Sequence, residues 1–244
     1  MRDRFFVEGV HALGDRVALA PDDARKVATV LRKRSGDRVQ VVDSGGVAFG
    51  ATLDVAARAV VVTLDEQLDR GAAEPGIDVT IAQAIPKGRK MDFVVEKATE
   101  LGAAAIVPVR SARVVGHDTS SAKVERWRRI AKSAAQQSGR TRVPAVGEIR
   151  DWDALLATFG EYDRVYVPWE LAAPAPLRDV LERELSGART VLVAIGPEGG
   201  FSSDEVERAQ RAGASAISLG RRILRTETAA LVVLSAILYA RAEL

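Results

Sequence analysis

The stretch "VLVAIGPEGGFSSDE", residues 191–205, decides the fold. Its first five residues are apolar without a break, which is typical of a strand buried on both faces of a parallel sheet. The glycines that follow permit positive φ and let a ligand approach the backbone closely. These glycines are Gly196, Gly199 and Gly200. Ser202 and Glu205 then have the S-x-x-E spacing of a capping box, which predicts that a helix begins there.

A second stretch, "ISLGRRILRTETAALVV" at residues 217–233, repeats this arrangement. Gly220 ends a strand pattern, three arginines follow, and Thr226 is expected to cap the final helix. Ligands of open α/β sheets bind beyond the carboxyl ends of the strands, so we expect the two loops to enclose one pocket. Either loop taken alone is equally compatible with an ordinary turn whose arginines are solvated.

The remaining patterns divide the chain into two parts. The first seventy residues contain short strand patterns, which predict a small barrel or sandwich. One helix is predicted at residues 22–32, with Ala24, Val27, Val30 and Leu31 on one face. From residue 77 onward strands and helices alternate, which predicts a parallel sheet covered on both faces. We therefore expect domains at residues 1–70 and 77–244, joined by a linker at 71–76.

Two later helices carry further expectations. The helix predicted at residues 121–138 has an inner face of Val124, Trp127, Ala131 and Ala134. The last helix, at about residues 227–240, is apolar almost all round. Such a helix is expected to be buried on every side, in the core or against a second subunit.

The composition excludes several classes of protein. The chain has 244 residues, 47% of them hydrophobic and 28% charged, which is typical of a globular protein. It has no cysteine, and its two histidines, His11 and His117, lack partners at ligand spacing, so no metal site is expected. No signal peptide or membrane-spanning run is evident, which favours a cytoplasmic protein. The glycine spacing fits neither a Rossmann fingerprint nor a P-loop.

Positive charge is concentrated in three clusters although the formal net charge is only +2. One lies between residues 123 and 142, a second at 87–90 and a third at 32–38. Phosphate backbones bind such clusters and release counterions, so we expect RNA contacts there; each cluster alone is equally typical of a solvated surface. The residues assigned to RNA are Arg4, Arg32, Lys87, Lys90, Arg126, Arg129, Lys132 and Arg140.

Four motifs together resemble one known family. They are "IGPEGGFSSDE", "LGRRILRTETA", "PKGRKMDFVVEKATELG" and "ERWRRIAKSAAQQSGR". They are similar to the RsmE family of 16S ribosomal RNA uridine-N3 methyltransferases, within the SPOUT superfamily. The resemblance implies a PUA-like β-barrel followed by an α/β domain with a deep trefoil knot, an exception to the rule that chains do not thread loops. It also implies a homodimer that acts on 16S ribosomal RNA or on the assembled small subunit.

The resemblance further implies which residues hold S-adenosylmethionine and which act on the base. The residues implied for the cofactor are Ile195, Gly196, Pro197, Glu198, Gly199, Gly200, Leu219, Gly220, Ile223, Leu224 and, after the strand "RVYVPW", Trp169 and Glu170. Arg225 and Glu198 are the candidate catalytic residues, with Thr226 and Glu227 where the base approaches. Local pairing of Arg225 with Glu227 is the alternative role for that arginine, and Arg222 is assigned none.

The absence of cysteine also bears on the chemistry. Carbon-5 methylation of a pyrimidine usually needs a Cys thiolate that adds to the ring, so a ring nitrogen or a ribose oxygen is the expected acceptor. Two other functions stay open. One is a non-catalytic RNA-binding or ribosome-assembly protein that retains the fold. The other is an enzyme that binds a phosphate ligand at the helix start of Ser202, which Asp204 and Glu205 would oppose.

Overall fold

The computed structural model describes residues 3–56, 59–68, 74–113, 121–172 and 176–243. The chain forms two compact units. The first comprises Met1–Glu74 and Ala135–Arg142, and the second comprises Pro75–Ala134 and Val143–Leu244. Part of the predicted linker, residues 71–73, lies outside the described residues, as does His117. The domain boundaries drawn from the sequence stay predictions.

The first unit contains a five-stranded sheet. Its strands are β1 (Arg4–Phe6), β2 (Arg16–Ala18), β3 (Arg38–Val42), β4 (Ala48–Ala56) and β5 (Ala59–Gln67). Their order is β1-β3-β4-β5-β2; β1 runs parallel to β3 and the other pairs are antiparallel. Over the described residues β1 and β2 each have one neighbour, so the sheet is open and the closed barrel is not confirmed.

The helix of the first unit changes its winding halfway. Helix α1 (Pro21–Arg25) continues as a π-helical turn over Lys26–Val30, where the Leu31 N–H bonds to the Lys26 carbonyl, five residues back. The wider turn rotates the later side chains away from their α-helical positions. Val27 is therefore buried as predicted, whereas Val30, predicted on the same apolar face, is 70% exposed.

The second unit is built on a parallel sheet. Its strands are β6 (Asp78–Ala84), β7 (Ala105–Arg110), β8 (Ala145–Val146), β9 (Arg150–Asp151), β10 (Arg164–Pro168), β11 (Thr190–Ile195) and β12 (Ser215–Ile217). The order is β12-β10-β11-β6-β7-β8, with β9 beside β7, and every pair is parallel. Strand β11, which contains the apolar run of residues 191–195, lies between β10 and β6, and this confirms its predicted central position in the sheet.

Helices cover both faces of this sheet, as predicted. They are α2 (Lys90–Leu101), α3 (Ser121–Ser138), α4 (Trp152–Leu156), α5 (Leu177–Glu184), α6 (Ser203–Arg211) and α7 (Thr226–Ala240), with a 3-10 turn at Phe159–Glu161. One apolar cluster joins Val191, Val193 and Ile195 to α2, α3, α5 and α7. A second joins Leu192 and Ala194 to α4 and α6. Alternate side chains of β11 thus pack into two different apolar cores, one on each face of the sheet.

Within one chain the final helix is buried on one side, and the predicted alternative of burial against a second subunit stays a prediction. Its inner side, which includes Val233, Leu234 and Ile237, is fully buried. On the other side Val232 is 38% exposed and Tyr239 is 77% exposed, so the helix is not buried on every side within one chain. The described helices include none with both the length and the apolar character needed to cross a membrane.

Candidate active site

Three loops meet at one edge of the parallel sheet. They follow β12, β10 and β11, which are neighbours in the sheet, and their described residues are 218–225, 169–172 and 196–202. Because the three strands are parallel, their carboxyl ends and the loops that follow them lie at the same edge. The sequence predicted this convergence for the two glycine loops and for the loop at Glu170.

The loop after β11 is a tight turn shaped by its glycines. The Gly200 N–H donates to the Pro197 carbonyl over 2.9 Å, and Gly200 has φ +66°. A Cβ on Gly196 would lie 3.0 Å from the Phe201 backbone nitrogen, so a side chain there would push against backbone. Gly200 is the one of these three glycines with a positive φ. Gly196 and Gly199 do not have a positive φ.

The loop ends in an anchored helix start. The Ser202 hydroxyl accepts from the Glu205 N–H (3.2 Å), and the Glu205 carboxylate accepts from the Ser202 N–H (2.9 Å), which confirms the predicted capping box. The other Glu205 oxygen accepts from the Ala112 N–H over 2.8 Å, so this carboxylate also holds the segment after β7. Phe201 is buried with its ring 4.5 Å from that of Trp152.

The glycine loop contacts two neighbouring segments. A Cβ on Gly200 would lie 3.0 Å from Oε1 of Glu170, so the loop after β10 lies directly against the glycine loop. On another side the Arg113 guanidinium donates to the Gly199 carbonyl over 2.5 Å. The sequence did not single out Arg113, because an arginine in a loop after a strand gives no signal by itself.

A buried polar link joins the glycine loop to α7. The Thr226 hydroxyl donates to the Gly196 carbonyl (2.5 Å) and accepts from Nε2 of Gln83 at the end of β6 (2.8 Å). Thr226 therefore does not cap α7 as predicted; Arg225 is the N-cap residue and its side chain makes no capping bond. Gln83 is fully buried, and its Oε1 accepts no hydrogen bond. A polar residue within the apolar run of β6 was the signal that sequence reasoning passed over.

The loop after β12 supplies apolar side chains. Leu219 and Leu224 are half-buried, and Leu219 packs on the core that contains Ile195. Gly220 has φ +102° with no atom within 4 Å of a Cβ placed there. Ile223 is 93% exposed, so in this structure it lines no closed pocket.

A charged cluster lies between the glycine loop and the starts of α2 and α7. Oε1 of Glu198 accepts from the Lys87 N–H (3.0 Å) and from Nζ of Lys90 (2.8 Å). Partial burial raises the pKa of Glu198, but the hydrogen bonds from Lys90 and from backbone N–H groups outweigh it, so the pKa lies below its usual value. Lys90 Nζ also lies 3.8 Å from Oε2 of Glu227, which is shielded from solvent and accepts no hydrogen bond.

Arg225 presents an available cation beside this cluster. Its side chain is exposed, and over the described residues its guanidinium makes no hydrogen bond or ion pair. The alternative role from the sequence, local pairing with Glu227, is not formed. Glu227 is instead engaged by Lys90.

The basic residues assigned to RNA in the second unit occupy two helices. The Asp92 carboxylate of α2 accepts from Arg126 of α3 and lies 3.4 Å from Nε of Arg89. Asp92 therefore links the basic cluster at residues 87–90 to the one at 123–142. Arg129 is exposed and makes only a long bond to the Glu125 carbonyl. Val124, Trp127, Ala131 and Ala134 form the predicted buried face of α3; Lys87 is exposed, and Lys132 is half-buried.

Two of the RNA assignments in the first unit need correction. Arg140 is only 3% exposed, and its guanidinium pairs with Glu74 at 2.6 Å. Arg4 donates to the Gly139 and Arg140 carbonyls and to Gln40, so its guanidinium is also engaged inside the unit. Both arginines serve the fold and are withdrawn as RNA contacts. Arg32 is exposed, with φ +52°.

The residues at the three loops suit a nucleoside-type cofactor better than a metal ion. The described residues contain no group of three or more His, Cys, Asp or Glu that could hold a metal. The loops instead offer backbone made accessible by Gly200, the carboxylate of Glu170 against it, and partly buried leucines. Apolar walls with a few convergent polar groups are typical of sites for small organic molecules.

Comparisons with known proteins agree with this geometry. Residues 73–238 match the family described as RNA methyltransferase domain. The chain is 34% identical to ribosomal RNA small subunit methyltransferase E of Bacillus subtilis, covering 91% of this chain and 89% of that protein. The counterpart of Mycobacterium tuberculosis is 32% identical, covering 96% of this chain and 90% of that protein.

Solved structures give the same result. The chain is 31% identical to the Neisseria gonorrhoeae ribosomal RNA small subunit methyltransferase E bound to S-adenosyl methionine, with a TM-score of 0.89 and 98% of each chain covered. A Legionella pneumophila methyltransferase structure with bound cofactor SAM is 28% identical, with a TM-score of 0.83 and 98% of each chain covered.

Proposed function

The chain belongs to the RNA methyltransferase family of the ribosomal RNA small subunit methyltransferases E, and we propose that it methylates N3 of one uridine in 16S ribosomal RNA. It is an S-adenosylmethionine-dependent ribosomal RNA methyltransferase. The position on the base and the residues that act on it are the proposed part. The observation that carries the proposal is the cluster of Lys90, Glu198 and Glu227 beside the glycine loop, with Arg225 exposed at the N-cap of α7.

The three loops hold the cofactor. S-adenosylmethionine supplies an electrophilic methyl group on a sulfonium. The loop of residues 196–200 would hold it, since glycines let a ligand approach the backbone closely. Ile195, Leu219, Gly220 and Leu224 form the apolar side, and Glu170 accepts hydrogen bonds from the polar groups of the ligand. Ile223 closes over the ligand from its exposed position.

Arg225 stabilises the charge that develops on the base. Uridine N3 carries a proton, and its loss leaves a negative charge shared with the flanking carbonyl oxygens. A guanidinium positioned at such a charge lowers the barrier because its interaction strengthens in the transition state. Arg225 is suited to this role because its side chain is exposed and makes no ion pair over the described residues. Glu198, held by Lys87 and Lys90, positions the loop around the base.

The RNA backbone lies along the basic surface of the second unit. Lys87, Arg89, Lys90, Arg126 and Arg129 extend from the start of α2 to α3 and present cations to phosphates. Arg32 offers a further exposed cation in the first unit. The substrate is 16S ribosomal RNA, either free or within the assembled small subunit.

Three architectural features complete the proposal. The five-stranded sheet of the first unit belongs to a PUA-like barrel that binds RNA. The second unit has the SPOUT topology with its trefoil knot. The exposed side of α7, with Val232 and Tyr239, forms a homodimer interface, because apolar side chains at this exposure are typical of subunit contacts.

The test of the proposal is the identity of the product. Small subunits from a strain that lacks this gene are incubated with the purified protein and labelled S-adenosylmethionine, and the nucleosides of the 16S RNA are analysed by mass spectrometry. We expect N3-methyluridine, formed equally well with a chelator present. 5-Methyluridine or a 2′-O-methyl nucleoside would refute the N3 assignment. Binding of RNA without any methyl transfer would favour the alternative of a ribosome-assembly protein.

A further inference from the structure

We infer that Glu227 accepts the N3 proton of the target uridine, with Lys90 as its counter-ion; this rests on the proposed N3 chemistry. In this step the N3–H bond breaks, its electron pair stays on the uracil ring, and an O–H bond forms on the Glu227 carboxylate. The ring then carries the electron pair that would bond to the methyl carbon of S-adenosylmethionine, while the methyl–sulfur bond breaks, its electron pair returns to sulfur and S-adenosylhomocysteine leaves. The proton later leaves the neutral carboxyl for solvent.

Hydrogen bonding separates Glu227 from three other carboxylates near the loops, those of Glu205, Asp92 and Glu198. Both oxygens of Glu205 accept backbone N–H groups, which leaves that carboxylate committed to the fold. Asp92 accepts from Arg126 and contacts Arg89. Glu198 accepts from Lys87 and Lys90, and these bonds hold its pKa below the usual value, which makes it a weaker proton acceptor.

Glu227 differs because, among the described residues, its buried oxygen Oε2 has no hydrogen-bond donor. Leaving a buried carboxylate oxygen unbonded is costly, so such an atom calls for an explanation. Its described ionic contact is with Lys90 Nζ, at 3.8 Å, beyond hydrogen-bond range. The side chain retains 14% exposure, which leaves a route for a proton to solvent. A carboxylate whose lone pairs are not committed to donors is available to receive a proton.

The surroundings of Glu227 also suit this role. Lys90 contacts both Glu198 and Glu227, so its charge stays balanced by Glu198 when Glu227 becomes neutral. Arg225, two residues earlier in the chain, is placed to stabilise the uracil anion that the same step creates. The adjacent Thr226 fixes the start of α7 against the glycine loop through its bond to the Gly196 carbonyl. Acceptor, anion-stabilising cation and cofactor loop are therefore joined at one helix start.

The test combines Glu227→Gln with a substrate whose N3 proton is more acidic. Gln keeps the size of the side chain but cannot accept a proton. We expect its kcat on uridine RNA to fall by about 10²–10⁴-fold, the usual contribution of a general base. Calorimetry should show unchanged affinity for S-adenosylmethionine, and filter binding unchanged affinity for small subunits. The surface variant Glu207→Gln on α6 is the matched control and should behave as wild type.

Small subunits that carry 5-fluorouridine at the target position reduce the need for a proton acceptor, because fluorine makes the N3 proton more acidic. The fluorinated substrate should restore much of the rate of Glu227→Gln while changing wild type little. The kcat of the variant on uridine should rise with pH where that of wild type is flat, since the proton must then go to solvent. The charged groups near this site are Lys90, Glu198 and Arg225.

Several results would overturn the inference. A near-normal kcat in Glu227→Gln would do so, as would a rate loss matched by a loss of cofactor affinity. Restoration by fluorine in Glu198→Gln instead would identify Glu198 as the acceptor. If Glu227→Gln fails to fold, Glu227→Asp retracts the carboxylate by one methylene and should show a partial rate loss with partial restoration. These outcomes are distinct from failure of the proposed function, which would appear as a wild-type product other than N3-methyluridine.

Discussion

Replacing Gly200 with alanine tests whether the glycine loop must keep its turn to hold the cofactor. Gly200 has φ +66°, and its added Cβ would lie 3.0 Å from Oε1 of Glu170. That carboxylate is the far end of an exposed, flexible side chain and can rotate away, so backbone strain is the main cost. An L-residue in the left-handed region costs roughly 1–2 kcal/mol.

The strain should appear in cofactor affinity. The loop around Gly200 includes the exposed residues Glu198 and Gly199, so it can shift to relieve the strain in the free protein. Cofactor binding must then restore the turn, which lowers the affinity for S-adenosylmethionine by about 5- to 30-fold, since 1.4 kcal/mol corresponds to a factor of ten. Isothermal calorimetry measures this change directly.

Two further glycines provide matched controls. Gly187 has φ +73° with no atom within 4 Å of its Cβ position, so Gly187→Ala should lower the stability by a similar amount and leave cofactor affinity unchanged. Gly199 lies outside the left-handed region, and a Cβ there would be 3.5 Å from Cδ of Arg113, an ordinary contact. Gly199→Ala should therefore bind the cofactor nearly as wild type. Wild-type affinity in a folded Gly200→Ala variant would refute the argument.

Three other substitutions test separate parts of the structure. Arg225→Ala should lower kcat by about 10²–10³-fold, as for loss of one anion-stabilising donor, with little change in cofactor affinity by calorimetry; an equal loss of both would contradict its role. Arg89→Ala combined with Arg129→Ala should weaken RNA binding and reduce the salt slope by about 0.7–0.9 per lost phosphate contact; an unchanged slope would show solvated surface. Arg140→Ala removes the guanidinium that pairs with the part-buried Glu74, which keeps the Thr141 and Arg142 N–H donors, and should lower the free energy of unfolding by about 1.5–3 kcal/mol in urea titrations, whereas an exposed RNA contact would cost almost nothing.

The elements predicted best are those whose signal is local. The apolar run of β11, the capping box of Ser202 and the alternating strands of the first unit each depend on neighbouring residues, and the structure contains all of them. Val30 was misplaced because an α-helical period was assumed where the chain takes a π-helical turn. Hydrogen bonding over a few residues decides that winding, and side-chain periodicity carries no signal of it.

The partners of charged side chains were the least predictable feature. The sequence placed Arg140 with Arg126 and Arg129 because all three follow one another within a basic stretch. In the structure Arg140 is buried against Glu74, 66 residues away, while Arg129 is exposed. Which cations remain available for RNA depends on such distant carboxylates, and no local pattern encodes them.

Contacts with residues distant in the sequence also determine which role each acidic residue of the site can take. Glu198, Glu205 and Glu227 have the same chemistry, and of the three only Glu205 had a predicted structural role, in the capping box. Backbone donors fix Glu205 to the helix start, and Lys87 with Lys90 fixes Glu198 to the loop. Glu227 has an ion pair at 3.8 Å and, over the described residues, a buried oxygen without a donor, so protonation of that oxygen disrupts no hydrogen bond of the fold. A proton acceptor changes its charge at every turnover. Glu227 can do so because, among the described residues, its buried oxygen holds no hydrogen bond that the fold would lose.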